Sequence, residues 1–209
     1  MRALIITGGK VKAPLALPAA DFVIAADSGY LTAKRLGVKP DLLLGDLDSL
    51  DRSQLSPHEL DEMQKIIVSP IKDDTDTQLA ADTAIARGAD EIMIVGGLGG
   101  RLDHTLSSVF LLEYLAEKGI ACAMTDGQSF VRILRGGQTL TVKKSGRKYL
   151  SLISLTDECR GVTISGVYYP LEKAELTRKY SWAVSNEITA QAAEISLSEG
   201  VMLVIEAGD

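Results

Sequence analysis

The first half of the chain alternates short apolar runs with segments of helical spacing. The apolar runs lie at residues 3–7, 22–26, 42–44, 65–68, 91–95 and 120–124. Each has the length and composition of a buried β-strand. Strands separated by helices are typical of a parallel sheet that is covered on both faces and connected by right-handed crossovers. This pattern predicts a Rossmann-like, three-layer α/β domain over residues 1–128.

The segments between these strands carry signals that begin and end helices. A helix between Asp27 and Asp41 is ended by Gly37, and a second is capped by Asp74 or Thr75. Ser56-Pro57 is a further helix start, with proline at the first helical position. A longer helix follows a glycine-rich loop. Its apolar residues recur at three- and four-residue steps and are Leu102, Leu106, Val109, Phe110 and Leu115.

The hydrophobic pattern changes near residue 130. From there on, the apolar segments are short, often alternate with polar residues, and are separated by turn signals such as Gly136-Gly137 and Ser165-Gly166. No long helical pattern occurs in this half. We therefore predict an antiparallel β-sandwich over residues 129–209, and a domain boundary at the change of pattern rather than at a linker.

Composition and charge narrow the classes of protein to consider. The chain has 209 residues, 46% hydrophobic and 24% charged, as is usual for a globular protein. A net charge of −6 and a pI near 5.0 argue against nucleic acid or an anionic membrane as the main partner. Cys122 and Cys159 lack the spacing of a zinc site and are expected to be small buried hydrophobes. With no signal-peptide core and no segment of transmembrane length, a cytoplasmic location is expected.

Polar clusters follow four of the predicted strands. Asp46 and Asp48 come directly after the run 42–44, and their alternate spacing points both carboxylates the same way. Asp27, the cluster Asp73-Asp74-Thr75-Asp76 and the loop 96–103 follow other strands. Because ligands bind beyond the carboxyl ends of parallel strands, all four clusters are expected to converge on one rim. A solvated turn is the alternative for the Asp46/Asp48 pair taken alone, but four clusters at strand ends favour a site, with Mg²⁺ between the carboxylates.

The loop Gly96-Gly97-Leu98-Gly99-Gly100-Arg101 does not fit a dinucleotide fingerprint, because Leu102 stands where the third glycine is needed. No phosphate-binding loop of the GxxxxGK[ST] type is present either. A glycine-rich turn at a helix N-terminus nevertheless exposes backbone N–H groups, and Arg101 adds donors for phosphate oxygens. The loop therefore predicts a phosphate site that belongs to neither of those two classes.

Three nearby residues admit both a functional and a plain interpretation. Asp103 could act in the site or simply favour the helix dipole, and His104 could be structural. Lys72 could meet a carboxylate or a phosphate, or be a solvated surface lysine. Within the acidic cluster, Asp76 is the carboxylate expected to face the rim. Together, these groups suggest magnesium–nucleotide phosphate chemistry achieved by positioning and charge stabilisation.

Several motifs together resemble the thiamine pyrophosphokinase family. They are Ala26-Asp27-Ser28-Gly29, Pro40-Asp41-Leu42-Leu43-Leu44-Gly45-Asp46-Leu47-Asp48-Ser49, Asp74-Thr75-Asp76-Thr77, Gly97-Leu98-Gly99-Gly100-Arg101-Leu102-Asp103-His104, Gly166-Val167-Tyr168-Tyr169-Pro170-Leu171 and Ser185-Asn186-Glu187. The set spans most of the chain. Ser28, Leu47 and Ser108 depart from the family's Gly, Phe and Asn, which affects loop shape and packing more than the metal carboxylates.

The resemblance implies transfer of a pyrophosphoryl group from ATP to the hydroxyl of thiamine, giving thiamine diphosphate and AMP. It implies that an ATP- and metal-binding domain is followed by a thiamine-binding, dimerising sandwich, in a homodimer with shared active sites.

On that resemblance, each candidate residue receives a role. The expected magnesium ligands are Asp46, Asp48, Asp76 and Asp27, and the residues expected to bind ATP are Lys72, Gly99, Gly100, Arg101 and His104. The expected catalytic residues are Asp103, which would orient or deprotonate the hydroxyl, together with Asp76 and Arg101. The residues expected to contact thiamine are Ser185, Asn186 and Asp27. Trp182 lies near Ser185-Asn186 in the sequence, but a lone tryptophan is expected more often in the core than against a ligand.

Two other classes of protein compete with this interpretation. A metal-dependent phosphoesterase or pyrophosphohydrolase would also use clustered aspartates, although it would normally need more than the two histidines present here. A non-catalytic nucleotide sensor would keep the glycine loop but would have no use for so many converging carboxylates.

Overall fold

The computed structural model describes residues 1–12, 14–45, 64–67 and 74–208 of the chain. It divides into two compact units, Met1–Gly127 and Gln128–Asp209. The first is an α/β unit with a parallel sheet, and the second consists of antiparallel strands, as the sequence predicts. None of the helices in the described ranges has both the length and the apolar character needed to span a membrane.

In the part of the chain that the structure describes, the sheet of the first unit has six parallel strands. They are β1 (Arg2–Ile6), β2 (Phe22–Ala26), β3 (Leu42–Gly45), β4 (Gln64–Ile67), β5 (Glu91–Val95) and β6 (Ala121–Thr125). Their order across the sheet is β4-β3-β2-β1-β5-β6. The central strand β1 therefore has β2 on one side and β5 on the other. The connection that follows β1 leads to β2, whereas the connection that follows β5 leads the opposite way to β6, so the adjacent carboxyl ends of β1 and β5 form a topological switch point.

Within the described residues, three helices cover this sheet. They are α1 (Gly29–Arg35), α2 (Asp76–Ala86) and α3 (Leu102–Glu117). The connection through α1 runs across the sheet in the opposite direction to those through α2 and α3, so right-handed crossovers place α1 on one face and the others on the opposite face. On the α1 face, Ala33 packs with Leu4 and Ile6, which alternate along β1. The prediction of three layers is confirmed, and the predicted helix start at Ser56-Pro57 lies outside the described residues.

The predicted apolar face of α3 is partly wrong. Leu102, Leu106 and Phe110 are exposed, whereas Ser108, Leu111, Leu112 and Leu115 are buried. The spacing correctly predicts a helix, but the buried face of that helix is rotated about its axis relative to the predicted face. The buried face includes a serine. Ser108 is buried because Gly97, which has no side chain, lies against its Cβ.

The second unit is a sandwich of two antiparallel sheets. Its strands are β7 (Ser129–Arg135), β8 (Thr139–Lys143), β9 (Tyr149–Ser154), β10 (Glu158–Ser165), β11 (Leu171–Thr177), β12 (Ala192–Ser196) and β13 (Val201–Ala207). Strand β13 pairs with β7 and β9, and the second sheet has the order β11-β10-β12-β8. Leu150 and Leu152 alternate along β9 and join residues of the other sheet in one core. The predicted sandwich is confirmed.

Both cysteines are free thiols. Cys159 is fully buried in the core of the second unit, and burial raises the pKa of the Cys122 thiol to about 12. A thiol with so high a pKa is scarcely ionised at neutral pH and is a poor nucleophile. The prediction of a small buried hydrophobe is confirmed for Cys159, whereas Cys122 is only partly buried.

Candidate active site

A cavity of about 530 Å³ opens at the carboxyl ends of β1, β2 and β5, at the switch point of the sheet. We call it the rim cavity. It is lined by Thr7, Gly8, Gly9, Ala26, Asp27, Ser28, Asp74, Thr75, Asp76, Thr77, Gly96, Gly97, Gly99, Gly100, Arg101, His104 and Ser108. Four polar clusters were predicted to converge on one rim. Those that the structure describes do so, since the residues after β2 and after β5 line the same cavity as the start of α2.

Backbone forms much of the rim cavity because two glycine loops approach each other there. A Cβ added to Gly9 would lie 1.7 Å from the carbonyl oxygen of Gly96, so no side chain fits at that position. Gly99 and Gly100 have φ of 76° and 92°, values that residues with a side chain rarely adopt. A Cβ at either would meet open space, so the conformation alone requires glycine there. These loops expose peptide groups rather than side chains to the cavity.

Asp27 follows β2 in a backbone conformation that is uncommon for a residue with a side chain, with φ of 51°. Its backbone N–H donates to the Leu44 carbonyl oxygen at 2.7 Å, which ties it to the end of β3. Gly45, the last residue of β3, lies against Asp27, because a Cβ built on Gly45 would be 3.1 Å from the Asp27 Cα. Asp27 is therefore held in a strained conformation at the rim, as residues of functional sites often are.

Asp76 is the first residue of α2 and lines the same cavity. Thr75 is the N-cap: its Oγ1 accepts a hydrogen bond from the Gln78 N–H at 3.1 Å. The expectation that Asp74 or Thr75 caps this helix is thus resolved in favour of Thr75. Because Thr75 satisfies the helix end, the Asp76 carboxylate is not needed as a cap.

Arg101 and Asp103 form a two-pronged ion pair beside the cavity. Arg101 Nη2 lies 2.6 Å from Asp103 Oδ2, and Arg101 Nε lies 3.2 Å from Oδ1. The Arg101 hydrogen bond, followed by one from the His104 N–H, lowers the pKa of Asp103 to about 2. Arg101 and His104 line the cavity, whereas Asp103 is not among its lining residues. Asp103 is thus paired with a residue of the cavity wall but does not itself line the cavity.

Three of the predicted site residues, Asp46, Asp48 and Lys72, lie outside the described residues. Asp46 follows Gly45 directly in the sequence. Among the residues that are described, no group of three or more His, Cys, Asp or Glu side chains is close enough to hold a metal ion. Asp27 and Asp76 nevertheless supply two hard carboxylate donors to one cavity, which is the donor chemistry that Mg²⁺ prefers.

The second unit has a cavity of its own, of about 490 Å³, which we call the aromatic cavity. It is lined by Leu150, Leu152, Ile164, Tyr168, Tyr169, Pro170, Leu171, Trp182, Ala183, Val184 and Asn186. No charged side chain is among these residues. Trp182 is 45% exposed and lines the cavity, so the expectation that it is a core residue is wrong. The tyrosine rings stand edge to face, with centroids 4.8 Å apart.

Ser185 and Asn186 occupy different positions relative to the aromatic cavity. Asn186 is buried and lines it. Ser185 has φ of 59°, has an exposed side chain, and is not among the lining residues. Its backbone N–H donates to Ser151 Oγ at 2.9 Å, which fixes the chain before Asn186.

Sequence reasoning missed part of each cavity. Gly8 and Gly9 were assigned no role from the sequence, yet they line the rim cavity. The missed signal was a glycine pair directly after the strand at the centre of the sheet. Tyr168 and Tyr169 belonged to a family motif but had no assigned role. Their position on a turn, outside any regular period, gave no pattern from which to predict it.

Two family models match the chain. The model described as thiamin pyrophosphokinase, catalytic domain, matches residues 14–124, and the model described as thiamin pyrophosphokinase, vitamin B1 binding domain, matches residues 137–202. The first match contains most of the described rim residues, and the second contains the whole aromatic cavity.

Relatives and solved structures agree with these matches. The thiamine pyrophosphokinase of Bacillus subtilis (strain 168) is 28% identical over 186 residues, which cover 89% of this chain and 87% of that protein. The crystal structure of a thiamin pyrophosphokinase family protein from Enterococcus faecalis has a TM-score of 0.84 at 29% identity and covers 100% of both chains. That of thiamine pyrophosphokinase from Bacillus subtilis has a TM-score of 0.87 at 24% identity, also over 100% of both chains, and supports the fold.

Proposed function

The chain belongs to the thiamin pyrophosphokinase family, and on that premise we propose that its rim cavity binds ATP and its aromatic cavity binds thiamine. Its activity is that of the family, the transfer of the pyrophosphoryl group of ATP to thiamine. The observation that carries the placement is the contrast in lining: glycine backbone, carboxylates and an arginine in one cavity, aromatic rings in the other.

The rim cavity suits a triphosphate. Gly99 and Gly100 lead into the N-terminus of α3, a helix of 16 residues whose first N–H groups and dipole favour anions. Arg101 lines the cavity and presents a planar group of donors that fits phosphate oxygens. His104, in the first turn of the same helix, also lines the cavity. Lys72, outside the described residues, is retained as a second cation for the phosphates.

Magnesium fits the carboxylates of the rim cavity. Asp27 and Asp76 would hold it, together with Asp46 and Asp48 from the segment outside the described residues. When bound, the ion neutralises phosphate charge and orients the β- and γ-phosphates. The chain's own contribution is to keep like-charged carboxylates together at one rim.

The reaction forms one bond and breaks one. The thiamine hydroxyl oxygen bonds to the β-phosphorus of ATP, the bond from that phosphorus to the oxygen retained by the α-phosphate breaks, AMP leaves, and the hydroxyl proton is released. Arg101 stabilises charge on the transferred phosphates, and the glycine N–H groups fix their position.

Asp103 acts in this proposal by orientation. A carboxylate whose pKa is about 2 accepts a proton poorly at neutral pH, so we replace the predicted role, to orient or deprotonate the thiamine hydroxyl, by one that acts through Arg101. Its two hydrogen bonds to Arg101 fix the plane of the guanidinium at the cavity wall. Asp103 is therefore proposed to position Arg101 and, through it, the phosphates.

The aromatic cavity suits thiamine because the vitamin carries two flat rings, one of them cationic. Trp182, Tyr168 and Tyr169 offer ring faces and edges, and aromatic faces attract organic cations. We propose further that two chains form a homodimer in which the second unit of each completes the active site of its partner. The family resemblance supports this arrangement, as does the distance in sequence between Asn186 and the rim residues.

The test is incubation of the protein with ATP, Mg²⁺ and thiamine. The proposal predicts AMP and a product that forms only when thiamine is present. AMP or orthophosphate released without thiamine would indicate a hydrolase, and the absence of any turnover would indicate a nucleotide sensor. Omission of Mg²⁺ should abolish product formation.

A further inference from the structure

The side-chain amide of Asn186 forms three hydrogen bonds with backbone groups of its own chain. Its Oδ1 accepts from the Tyr169 N–H at 3.0 Å and from the Glu187 N–H at 2.9 Å, and its Nδ2 donates to the Tyr169 carbonyl oxygen at 2.8 Å. One carboxamide N–H is left for any further partner. The side chain therefore pairs with the peptide groups of Tyr169 in both directions, as a neighbouring strand would.

The backbone of Asn186 is anchored on the opposite side. Its N–H donates to the Leu150 carbonyl oxygen at 3.0 Å, and its own carbonyl accepts from the Leu150 N–H at 2.8 Å. Leu150 belongs to β9, whose side chains form the core of the second unit. Asn186 thus connects a rigid strand, through its backbone, to the turn that carries Tyr169, through its side chain.

The turn is also held at Tyr168, whose N–H donates to the Glu187 carbonyl oxygen at 2.9 Å, and the two tyrosine rings contact each other edge to face. Tyr168 is 67% exposed and Tyr169 is 66% exposed, although both line the aromatic cavity. A largely exposed ring has few packing contacts to restrain it, so its position depends on the backbone that carries it. That backbone is fixed at Tyr169 by the Asn186 side chain.

From these contacts we infer that Asn186 is a positioning residue that acts on thiamine through Tyr168 and Tyr169, by locking their turn in the shape that receives the ring. The inference rests on the proposed function for the identity of the ligand. It assigns the effect of Asn186 on thiamine to the two tyrosine rings, rather than to the direct contact that the family resemblance implies.

A first experiment tests the lock without any ligand. The exchange of the Tyr169 amide hydrogen is measured by NMR in the wild-type protein, in Asn186→Ala and in the matched control Thr189→Ala, an exposed residue of the same segment. The lock predicts protection in the wild type and in the control, and exchange faster by about tenfold or more in Asn186→Ala. Equal exchange rates in all three proteins would overturn it.

A second experiment tests the route to the ligand. Trp182 is the single tryptophan of the chain and lines the aromatic cavity, so its emission reports thiamine binding. Asn186→Ala should raise the thiamine Kd about tenfold, with kcat at saturating thiamine and the KM for ATP unchanged. In a background lacking both rings, Tyr168→Ala with Tyr169→Ala, the same change should alter the Kd less than about twofold, because coupled residues are not additive.

Two results would contradict the inference. A tenfold loss in the ring-less background as well would mean that Asn186 contacts thiamine directly, and an unchanged Kd in Asn186→Ala would reduce it to a structural residue. If Asn186→Ala does not fold, Asn186→Asp replaces it: it keeps the acceptor oxygen but turns a second oxygen toward the Tyr169 carbonyl, and the same coupling is expected. If thiamine does not change the Trp182 emission of the wild-type protein, the proposed placement of thiamine is refuted. The exchange rate of the Tyr169 amide still shows whether Asn186 holds the turn.

Discussion

The two cavities differ in what lines them. The rim cavity is built from glycine loops, helix starts and charged side chains, whereas the aromatic cavity is built from rings and aliphatic side chains with one buried carboxamide. A phosphate chain is recognised by charge and by peptide N–H groups, which a regular parallel sheet delivers at its carboxyl edge. A flat ring needs side chains at particular angles, which here depend on an irregular turn. The difference shows why one site follows from fold topology and the other depends on local hydrogen bonds.

The largest effect is expected from Asp76→Asn in the rim cavity. If the carboxylate holds the metal that neutralises phosphate charge, kcat should fall by about 100- to 1,000-fold, as when one group that stabilises developing charge is lost. The melting temperature without Mg²⁺ should fall only slightly, because Thr75 is the cap of α2 and a charged residue in the first turn contributes about 0.3–1 kcal/mol. Steady-state kinetics and thermal melting measure the two effects separately.

The matched control is Asp157→Asn. Asp157 is an exposed aspartate of the second unit, paired with Arg178 at 2.5 Å. It should keep wild-type kinetics, since exposed ion pairs contribute little. If Asp76→Asn keeps most of its activity but melts at a much lower temperature, the Asp76 carboxylate has a structural role and is not a metal ligand.

Dimers that contain one chain of each variant test whether the two cavities of one active site come from different chains. Asp76→Asn and Asn186→Ala damage different cavities. In the proposed homodimer, two-fold symmetry pairs the first unit of each chain with the second unit of its partner. Random re-pairing makes about half the dimers mixed, each with one intact site of two, so activity at limiting thiamine should recover to about a quarter of wild type.

The measurement is to unfold and refold the two variants together and separately, and then to assay thiamine diphosphate formation. Wild-type protein taken through the same cycle gives the reference activity. A mixture no more active than the average of the separately refolded variants would mean that each active site is built from one chain.

The smallest effect concerns the pH profile. The pKa of Asp103 is lowered from about 3.8 to about 2. The stabilisation from its pair with Arg101 is therefore fully present above about pH 4 and is lost only as the pH falls toward 2. Between about pH 5 and pH 9, Asp103 keeps its charge, so Asp103→Asn should lower kcat without moving the acidic limb of the kcat profile. Loss of that limb in the variant would instead identify Asp103 as the base.

These differences also explain how far the sequence predicts the fold and the site. Hydrophobic period and glycine stops predicted the described strands and helices, because a buried strand such as Phe22–Ala26 must be apolar throughout. Position after a strand predicted that Asp27, Asp76 and Arg101 meet at one rim. Hydrophobic periodicity did not predict which residues of α3 are buried, because Leu106 and Phe110 have the spacing of core residues but are exposed. Which stripe of a helix is buried depends on the surface beneath it, and Gly97 makes room there for Ser108.

The aromatic cavity could not be predicted in this way. Tyr168, Tyr169 and Trp182 lie on turns whose geometry is set by long-range hydrogen bonds, such as those between Asn186 and Tyr169. Neither helical nor strand period describes such a segment. Family resemblance, rather than pattern, drew attention to it.

The central claim is that ATP binds in the rim cavity and thiamine in the aromatic cavity, and calorimetric titration of both ligands into two variants tests it most directly. Arg101→Lys keeps the charge but loses the planar fork, and should weaken binding of a non-hydrolysable ATP analogue by about 1–3 kcal/mol while leaving thiamine affinity unchanged. Tyr168→Ala with Tyr169→Ala should weaken thiamine alone. Arg178→Lys is the control, since that arginine forms a similarly exposed ion pair in the second unit. The account predicts this crossed pattern, and ATP affinity unchanged by Arg101→Lys, or lost with the tyrosine rings, would contradict it.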